Sequence, residues 1–261
     1  MNGISVLIIA YNESENIVGA IESVRFAEEI VVVDNCSNDN TVEIAEQNGA
    51  IVFRTDDNLG YSQAKKFGLE KCNYSWVLWL DADERASLEL AEEISNIIKN
   101  GEVDSSIAGF YIHRKSFFVR KWMKHCGWGN EKVLRLFRKN CAQISDDLVH
   151  ESIIIAGQTR TLSNPILHYT APDFITFFQK QMKYASLSAQ QMISQNKSIG
   201  LGKIFFNPLA TFFKIYFVKL GFLDGLEGFF LSVIQSTYVF AKYVQAYYIK
   251  KKMASKNRKE I

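Results

Sequence analysis

The sequence predicts an α/β protein with a mostly parallel central sheet and a helical region at its carboxyl end. Two observations carry that prediction. In residues 1–100, four short apolar runs alternate with four helical patterns, the signature of a parallel sheet covered by helices. Beyond residue 170, apolar and aromatic residues recur at helical spacing.

Residues 4–10 (I-S-V-L-I-I-A) form a continuous apolar run, hence a buried strand. A polar turn follows at residues 11–16, and Ile17, Ala20, Ile21 and Val24 then recur at helical spacing. Asn12 with Glu15, or alternatively Ser14, is placed to cap that helix. Residues 29–34 (E-I-V-V-V-D) are a second buried strand, ending in Asp34. Thr41 is placed to cap a helix running to about Gln47, and Gly49 ends it. Residues 50–53 are a third strand, residues 58–60 a turn, and Ala64, Phe67 and Leu69 open another helix. Residues 75–84 (S-W-V-L-W-L-D-A-D-E) take an apolar run straight into three carboxylates. If strand geometry persists to the end, alternation puts Asp81 and Asp83 on one side and points Glu84 away. Two carboxylates that close repel, and a divalent cation keeps both ionised; a polar loop capping the next helix is the plainer alternative. Ser87 is placed to cap a helix to about Asn100, with Leu88, Ala91, Ile94 and Ile98 on one face.

Ligands of such sheets bind at the carboxyl ends of the strands. Asn12 and Glu13, Asp34, and Asp81 with Asp83 all stand at such ends, and their convergence favours the metal reading. The chain has neither a G-x-G-x-x-G after its first strand nor a G-x-x-x-x-G-K-[ST] motif. Neither a standard dinucleotide site nor a P-loop is expected.

Residues 108–119 read as a strand. Residues 133–138 (V-L-R-L-F-R) alternate apolar and basic residues, as a half-exposed strand would. Between them, residues 121–129 hold Trp122 and Trp128, which either stack on a sugar or plug a core edge. Residues 146–151 (D-D-L-V-H-E) offer three carboxylates and an imidazole, a source of a general base or simply a solvated turn. Residues 166–169 form a short strand carrying His168.

The composition is that of a globular protein, 48% hydrophobic and 22% charged. A net charge of +2 argues against nucleic acid as the partner. The four cysteines stand far apart with no C-x-x-C pair, which fits a reducing compartment. No signal-peptide pattern precedes the first strand, and a cytoplasmic protein is expected.

Taken in order, S-V-L-I-I-A-Y-N-E, I-V-V-V-D-N-C-S-N-D-N-T, W-V-L-W-L-D-A-D-E, V-L-R-L-F-R, D-D-L-V-H-E and I-L-H-Y resemble the family-2 glycosyltransferases of the GT-A fold. Within them the chain is most similar to bacterial lipopolysaccharide core β-glucosyltransferases, on D-D-L-V-H-E and the following H-Y-T-A-P-D-F. Tyr11 stands where that group commonly has lysine, and Cys36 where it commonly has glycine. The resemblance implies a Rossmann-like catalytic domain over residues 1–170, with a nucleotide-sugar half at about 1–100 and an acceptor half at about 101–170. A helical region at 171–250 and a basic tail at 251–261 complete the chain. It implies an inverting, metal-dependent transfer of a hexose, glucose by that likeness, from a UDP-sugar to a lipopolysaccharide or lipooligosaccharide inner-core acceptor, heptose. It places Ala10, Tyr11, Glu13, Asp34, Lys65 and Asp81 at the nucleotide, and Asp83, Asp81 and His168 at Mn²⁺ or Mg²⁺. Glu151 is the first choice of base, with Asp147 and Asp146 behind it, and His150 beside them to orient the base or touch the acceptor. Transfer to another cell-surface glycan is the alternative, and a nucleotidyltransferase a more distant one.

In the carboxyl-terminal third, Asp173 is placed to cap a long helix, and Asn207-Pro208 to interrupt a later run. Residues 228–241, the longest clean apolar stretch, fall short of the roughly twenty that a spanning helix needs. These helices are expected either to pack as core or to lie on the cytoplasmic face of the inner membrane, where the basic tail favours anionic lipid.

Overall fold

The computed structural model describes residues 3–55, 59–99, 103–129, 131–144, 153–170 and 172–257. Two compact units divide the chain, Met1–Lys115 with Glu131–His168, and Ser116–Asn130 with Tyr169–Ile261.

The first unit begins β1 (Ile4–Ala10), α1 (Ile17–Ser23), β2 (Glu29–Asp34), α2 (Thr41–Gln47), β3 (Ile51–Arg54), α3 (Gly60–Lys71) and β4 (Trp76–Asp81). β1 lies between β2 and β4, parallel to both, and β2 carries β3 on its other side. Alternation explains why these strands are apolar throughout. Val6, Ile8, Val32, Leu78 and Leu80 enter one core cluster, whereas Leu7, Ile9, Val31, Val33, Val77 and Trp79 enter another. A strand buried on both faces has no polar side to show.

β5 (Glu84–Ala86) and α4 (Leu88–Lys99) follow, then β6 (Ile107–Phe118), β7 (Lys121–Trp122), β8 (Glu131–Arg138), β9 (Ala142–Ile144), β10 (Ile153–Ile155) and β11 (Gln158–Tyr169). The order in the main sheet is β3-β2-β1-β4-β8-β6-β11-β5, with β7 on β6. Only residues 82 and 83 join β4 to β5, although three strands separate them in that order. The sheet therefore curls, bringing the end of β4 towards β11. In the second unit, β7 and the residues after it join α5 (Phe174–Ser194), α6 (Leu201–Phe213) and α7 (Gly225–Asn257). A π-helical turn, Lys214–Val218, and a 3₁₀ turn, Gly221–Asp224, connect α6 to α7.

Several local expectations need correction. Neither Asn12 nor Ser14 caps α1. The N-cap is Asn16, and the Glu13 carbonyl accepts the Asn16 and Ile17 amides at 2.9 and 2.8 Å. Thr41 is the first residue of α2 rather than its cap, and its hydroxyl instead accepts the Glu13 amide at 2.8 Å. On α4 the Ser87 hydroxyl accepts the Leu90 amide at 3.2 Å, as a cap does. Leu88, however, is 82% exposed and Leu90 is buried in its stead, whereas Ile94 enters the core as expected. Pro208 lies inside α6, which runs through it, because Pro208 and Ile204 are themselves buried there. Asp173 caps α5, its carboxylate accepting the Ile175 and Thr176 amides. All four cysteines are free.

Candidate active site

The loops after β1 and β2 are fastened to each other. The Asn12 amide donates to Ser37 Oγ at 2.8 Å, and the Asn38 amide donates to Asn12 Oδ1 at 2.8 Å. Asn12 itself sits at φ 56°, a left-handed conformation that asparagine tolerates better than most residues. The Ser14 amide reaches Asp39 Oδ2 at 3.2 Å, and Glu13 Oε2 holds the Asn16 amide group at 2.8 Å. Ala10 is buried at the end of β1, with Tyr11 half-buried beyond it. These ties fix the rim on which Tyr11 and Glu13 stand.

Asp34 ends β2 and is fully buried. Its Oδ2 accepts the Ser37 amide at 3.2 Å, with Arg54 Nε at 3.8 Å. Its Oδ1 is buried without a hydrogen-bond partner among the described residues. A buried carboxylate oxygen left that way is costly unless a ligand N–H or O–H meets it.

At the end of β4 the ion pairs are dense. Asp81 Oδ2 lies 2.5 Å from Arg135 Nη2, and Asp81 Oδ1 accepts from Trp79 Nε1 at 3.2 Å. The same Arg135 nitrogen donates to Glu84 Oε1 at 2.8 Å, and Glu84 Oε2 accepts the Asp81 amide at 3.1 Å. Arg114 reaches Glu84 at 3.3 Å and Glu131 at 2.7 Å. Lys65 Nζ stands 3.8 Å from the Trp79 ring centre, and Arg135 Cζ 4.8 Å from it, both within cation–π range. Burial alone pushes the Asp81 carboxyl up, but Arg135 and then Lys65 outweigh it and hold it at about 2. Burial pushes Glu84 up from the ordinary glutamate value.

β4 stops at Asp81, so strand alternation does not carry on to Asp83. Asp83 lies in the two-residue turn into β5 and meets a different partner. β5 pairs antiparallel with β11, with His168 opposite Glu84, and His168 Nε2 lies 3.4 Å from Asp83 Oδ2. Sheet curl has thus joined two of the expected metal ligands from positions 85 residues apart in sequence. The third, Asp81, is engaged by Arg135. Among the described residues no three His, Cys, Asp or Glu side chains form a ready cluster. The pair still fits a hard divalent cation, because Mg²⁺ sites commonly take one or two protein ligands and fill the rest with phosphate and water.

Asp146, Asp147, His150 and Glu151 lie outside the described residues. The strands on either side of them pair, with Ile144 opposite Ile153. Trp128 does not stand ready for a sugar: it packs edge-on against Phe118 and Phe177 in the second unit. Alternation set Glu84 aside, yet it binds Arg135 and the Asp81 amide beside the site, and neither Arg135 nor Arg114 is singled out by the sequence. The one available signal was a basic residue inside an apolar strand, which reads equally well as a solvated face.

Comparison with known proteins bears on the family of the chain. The "Glycosyl transferase family 2" model matches residues 5–163. An uncharacterized glycosyltransferase of Rickettsia felis is 31% identical over 259 residues, spanning 94% of this chain and 88% of that protein. The lipopolysaccharide core biosynthesis glycosyltransferase LpsC of Rhizobium meliloti is 27% identical over 250 residues, spanning 94% and 92%. Among solved structures, the mannosyltransferase PcManGT of Pyrobaculum calidifontis, in complex with GDP-Man and Mn²⁺, matches with a TM-score of 0.55 at 12% identity, covering 96% of this chain and 88% of that one. This last likeness concerns the fold, which is GT-A. With a family match over more than half of the chain and relatives along nearly its whole length, the chain belongs to glycosyl transferase family 2.

Proposed function

We propose that this glycosyltransferase moves glucose from UDP-glucose to a heptose of a lipopolysaccharide inner core, with inversion, at the cytoplasmic face of the inner membrane. The observation that carries the reading is the set of acids at the β1, β2 and β4 ends, with Asp83 paired to His168. Full-length similarity to LpsC supports the lipopolysaccharide core as acceptor.

In this reading Asp34 Oδ1 accepts from the uridine moiety, and Ala10, Tyr11 and Glu13 form the rim beside it. Lys65 supplies a cation near Asp81. Asp83 and His168 hold Mn²⁺ or Mg²⁺, which offsets charge on the diphosphate when bound. Glu151 takes the proton of the acceptor hydroxyl, with Asp147 and Asp146 as the alternatives. The acceptor oxygen bonds to the anomeric carbon as the bond from that carbon to the diphosphate breaks, and UDP leaves with the electron pair.

A thermal-shift screen of UDP-glucose, UDP-galactose, UDP-N-acetylglucosamine and GDP-mannose with Mn²⁺ tests the donor. UDP-glucose at a hundredfold excess over its Kd should raise Tm by about 5–10 °C. Asp83→Asn should lose the Mn²⁺-dependent part of that shift. Glu151→Gln should keep the shift and lose UDP release in the presence of a heptose-terminated core acceptor. A larger rise with another donor would replace glucose, and near-normal turnover of Glu151→Gln would move the base.

A further inference from the structure

The carboxyl-terminal unit carries more apolar surface than its own packing covers. α6 buries Ile204 and Pro208 on one side. On another side Leu201, Phe205, Leu209, Phe213 and Phe217 recur at every fourth residue, through the π-helical turn, and each is 51–62% exposed. In and after the turns that follow, Val218, Leu223 and Leu226 are also 56–76% exposed. A helix that is apolar on both its inner and outer faces is ordinarily covered on both. A stripe of large exposed apolar side chains along one helix marks an interaction site.

Charge selects the occupant. From Phe174 to Asn257 the chain holds eleven lysines, no arginine and two acids, Asp224 and Glu227. Neither acid is free to oppose a partner. Asp224 is buried and accepts the Lys124 and His125 amides at 3.2 and 2.8 Å, and it pairs with His125 Nδ1 at 3.0 Å. Glu227 is bound to Lys121 Nζ at 2.9 Å. Lys203 and Lys214, both exposed, stand about three turns apart on a third side of the α6 helix. A second copy seated on this surface would set lysine against lysine with no acid to meet them. An anionic lipid surface supplies both the apolar layer and the counter-charge. No helix among the described residues is long and apolar enough to cross a membrane, so the contact is one of lying on the bilayer.

We infer that the outer face of α6 and the two turns after it seat in the headgroup region of a bilayer rich in anionic phospholipid. The inference stands on residues 201–226 and does not depend on the identity of the sugar donor.

Co-sedimentation of the full chain with phosphatidylcholine vesicles, with and without phosphatidylglycerol, tests it. Binding is expected only with phosphatidylglycerol present, and added salt should weaken it. Phe205→Ser/Phe213→Ser/Phe217→Ser should weaken binding about a hundredfold, while Mn²⁺-dependent nucleotide binding stays intact. Lys203→Gln/Lys214→Gln changes only exposed side chains and should weaken binding to the anionic vesicles about tenfold or more. Undiminished vesicle binding by both variants would overturn the inference. So would a dimer of the unaltered chain that the phenylalanine variant converts to monomer with no vesicle binding by either. Because nucleotide binding is read separately, a wrong donor assignment would leave the vesicle result standing.

Discussion

One nitrogen of Arg135 serves two carboxylates, the half-exposed Asp81 at 2.5 Å and the buried Glu84 at 2.8 Å. Removing that cation takes the nearest positive charge from both acids, leaving Glu84 to Arg114 at 3.3 Å and Asp81 to Trp79 Nε1 and the charge of Lys65. Asp81, held low in the folded protein, contributes stability that is present above the usual aspartate range and fades as pH falls towards 2. Glu84, pushed up by burial, works in the opposite sense and disfavours the fold progressively as pH rises above about 4.5. Without Arg135 both acids bind protons more tightly in the folded state, so the deficit must grow with pH. Arg135→Met should cost about 3–5 kcal/mol at pH 8 and distinctly less at pH 5, read from urea unfolding. Equal costs at the two pH values would reduce Arg135 to a packing role. Asp34, Asp81 and Asp83 were legible beforehand because each follows an apolar run and strand ends collect ligands. Arg135 was not, because V-L-R-L-F-R has the pattern of a strand with one wet face. Its burial depends on Glu84, which reaches it only through the pairing of β5 with β11, and no local pattern records that pairing.

At the scale of elements, α3 meets the sheet through Gly68. A Cβ there would lie 2.4 Å from Leu7 Cδ1 and 2.9 Å from Val33 Cγ2, both in the core between helix and sheet. Helix propensity alone favours alanine over glycine by about 1 kcal/mol. Overpacking a filled core costs about 1–3 kcal/mol, and Leu7, buried, would have to shift among its core neighbours. Gly68→Ala should therefore be destabilising on balance, by about 1 kcal/mol in denaturant unfolding; a more stable variant would show that Leu7 can repack. The parallel strands were legible because burial on both faces writes an unbroken apolar run. β5 was not, since three residues that include a glutamate and an arginine carry no period. Of β11 only the last four residues were legible, because most of its earlier positions are exposed and polar. Pro208 reads as a helix break locally, but α6 keeps it, since the apolar packing of its buried side outweighs one lost backbone bond.

On the scale of the molecule, the second unit is assembled from two separate stretches of chain. Phe118, Met123 and Cys126 come from the strand and loop around β7, and Phe177, Leu231 and Ile234 from α5 and α7; together they make one buried cluster. The loop is also anchored by polar groups, with Asp224 taking two of its amides and the Asp224 carbonyl accepting Lys121 Nζ at 2.7 Å. A boundary drawn from sequence near residue 170 follows the change of pattern, but it cannot register that residues 116–130 share a core with helices a hundred positions later. Truncation after residue 170 keeps β11 whole and removes every helical partner of that loop. Three buried side chains would then face water, each at a cost of about 2 kcal/mol, and the His125 amide would lose its carboxylate. The truncated chain should bind a hydrophobic dye and sediment as aggregate, even though the strands that carry Asp34 and Asp81 and the turn that carries Asp83 are all present. A monodisperse truncated chain with unaltered tryptophan fluorescence would mean that the loop finds other packing, and that the first unit folds independently of the helices.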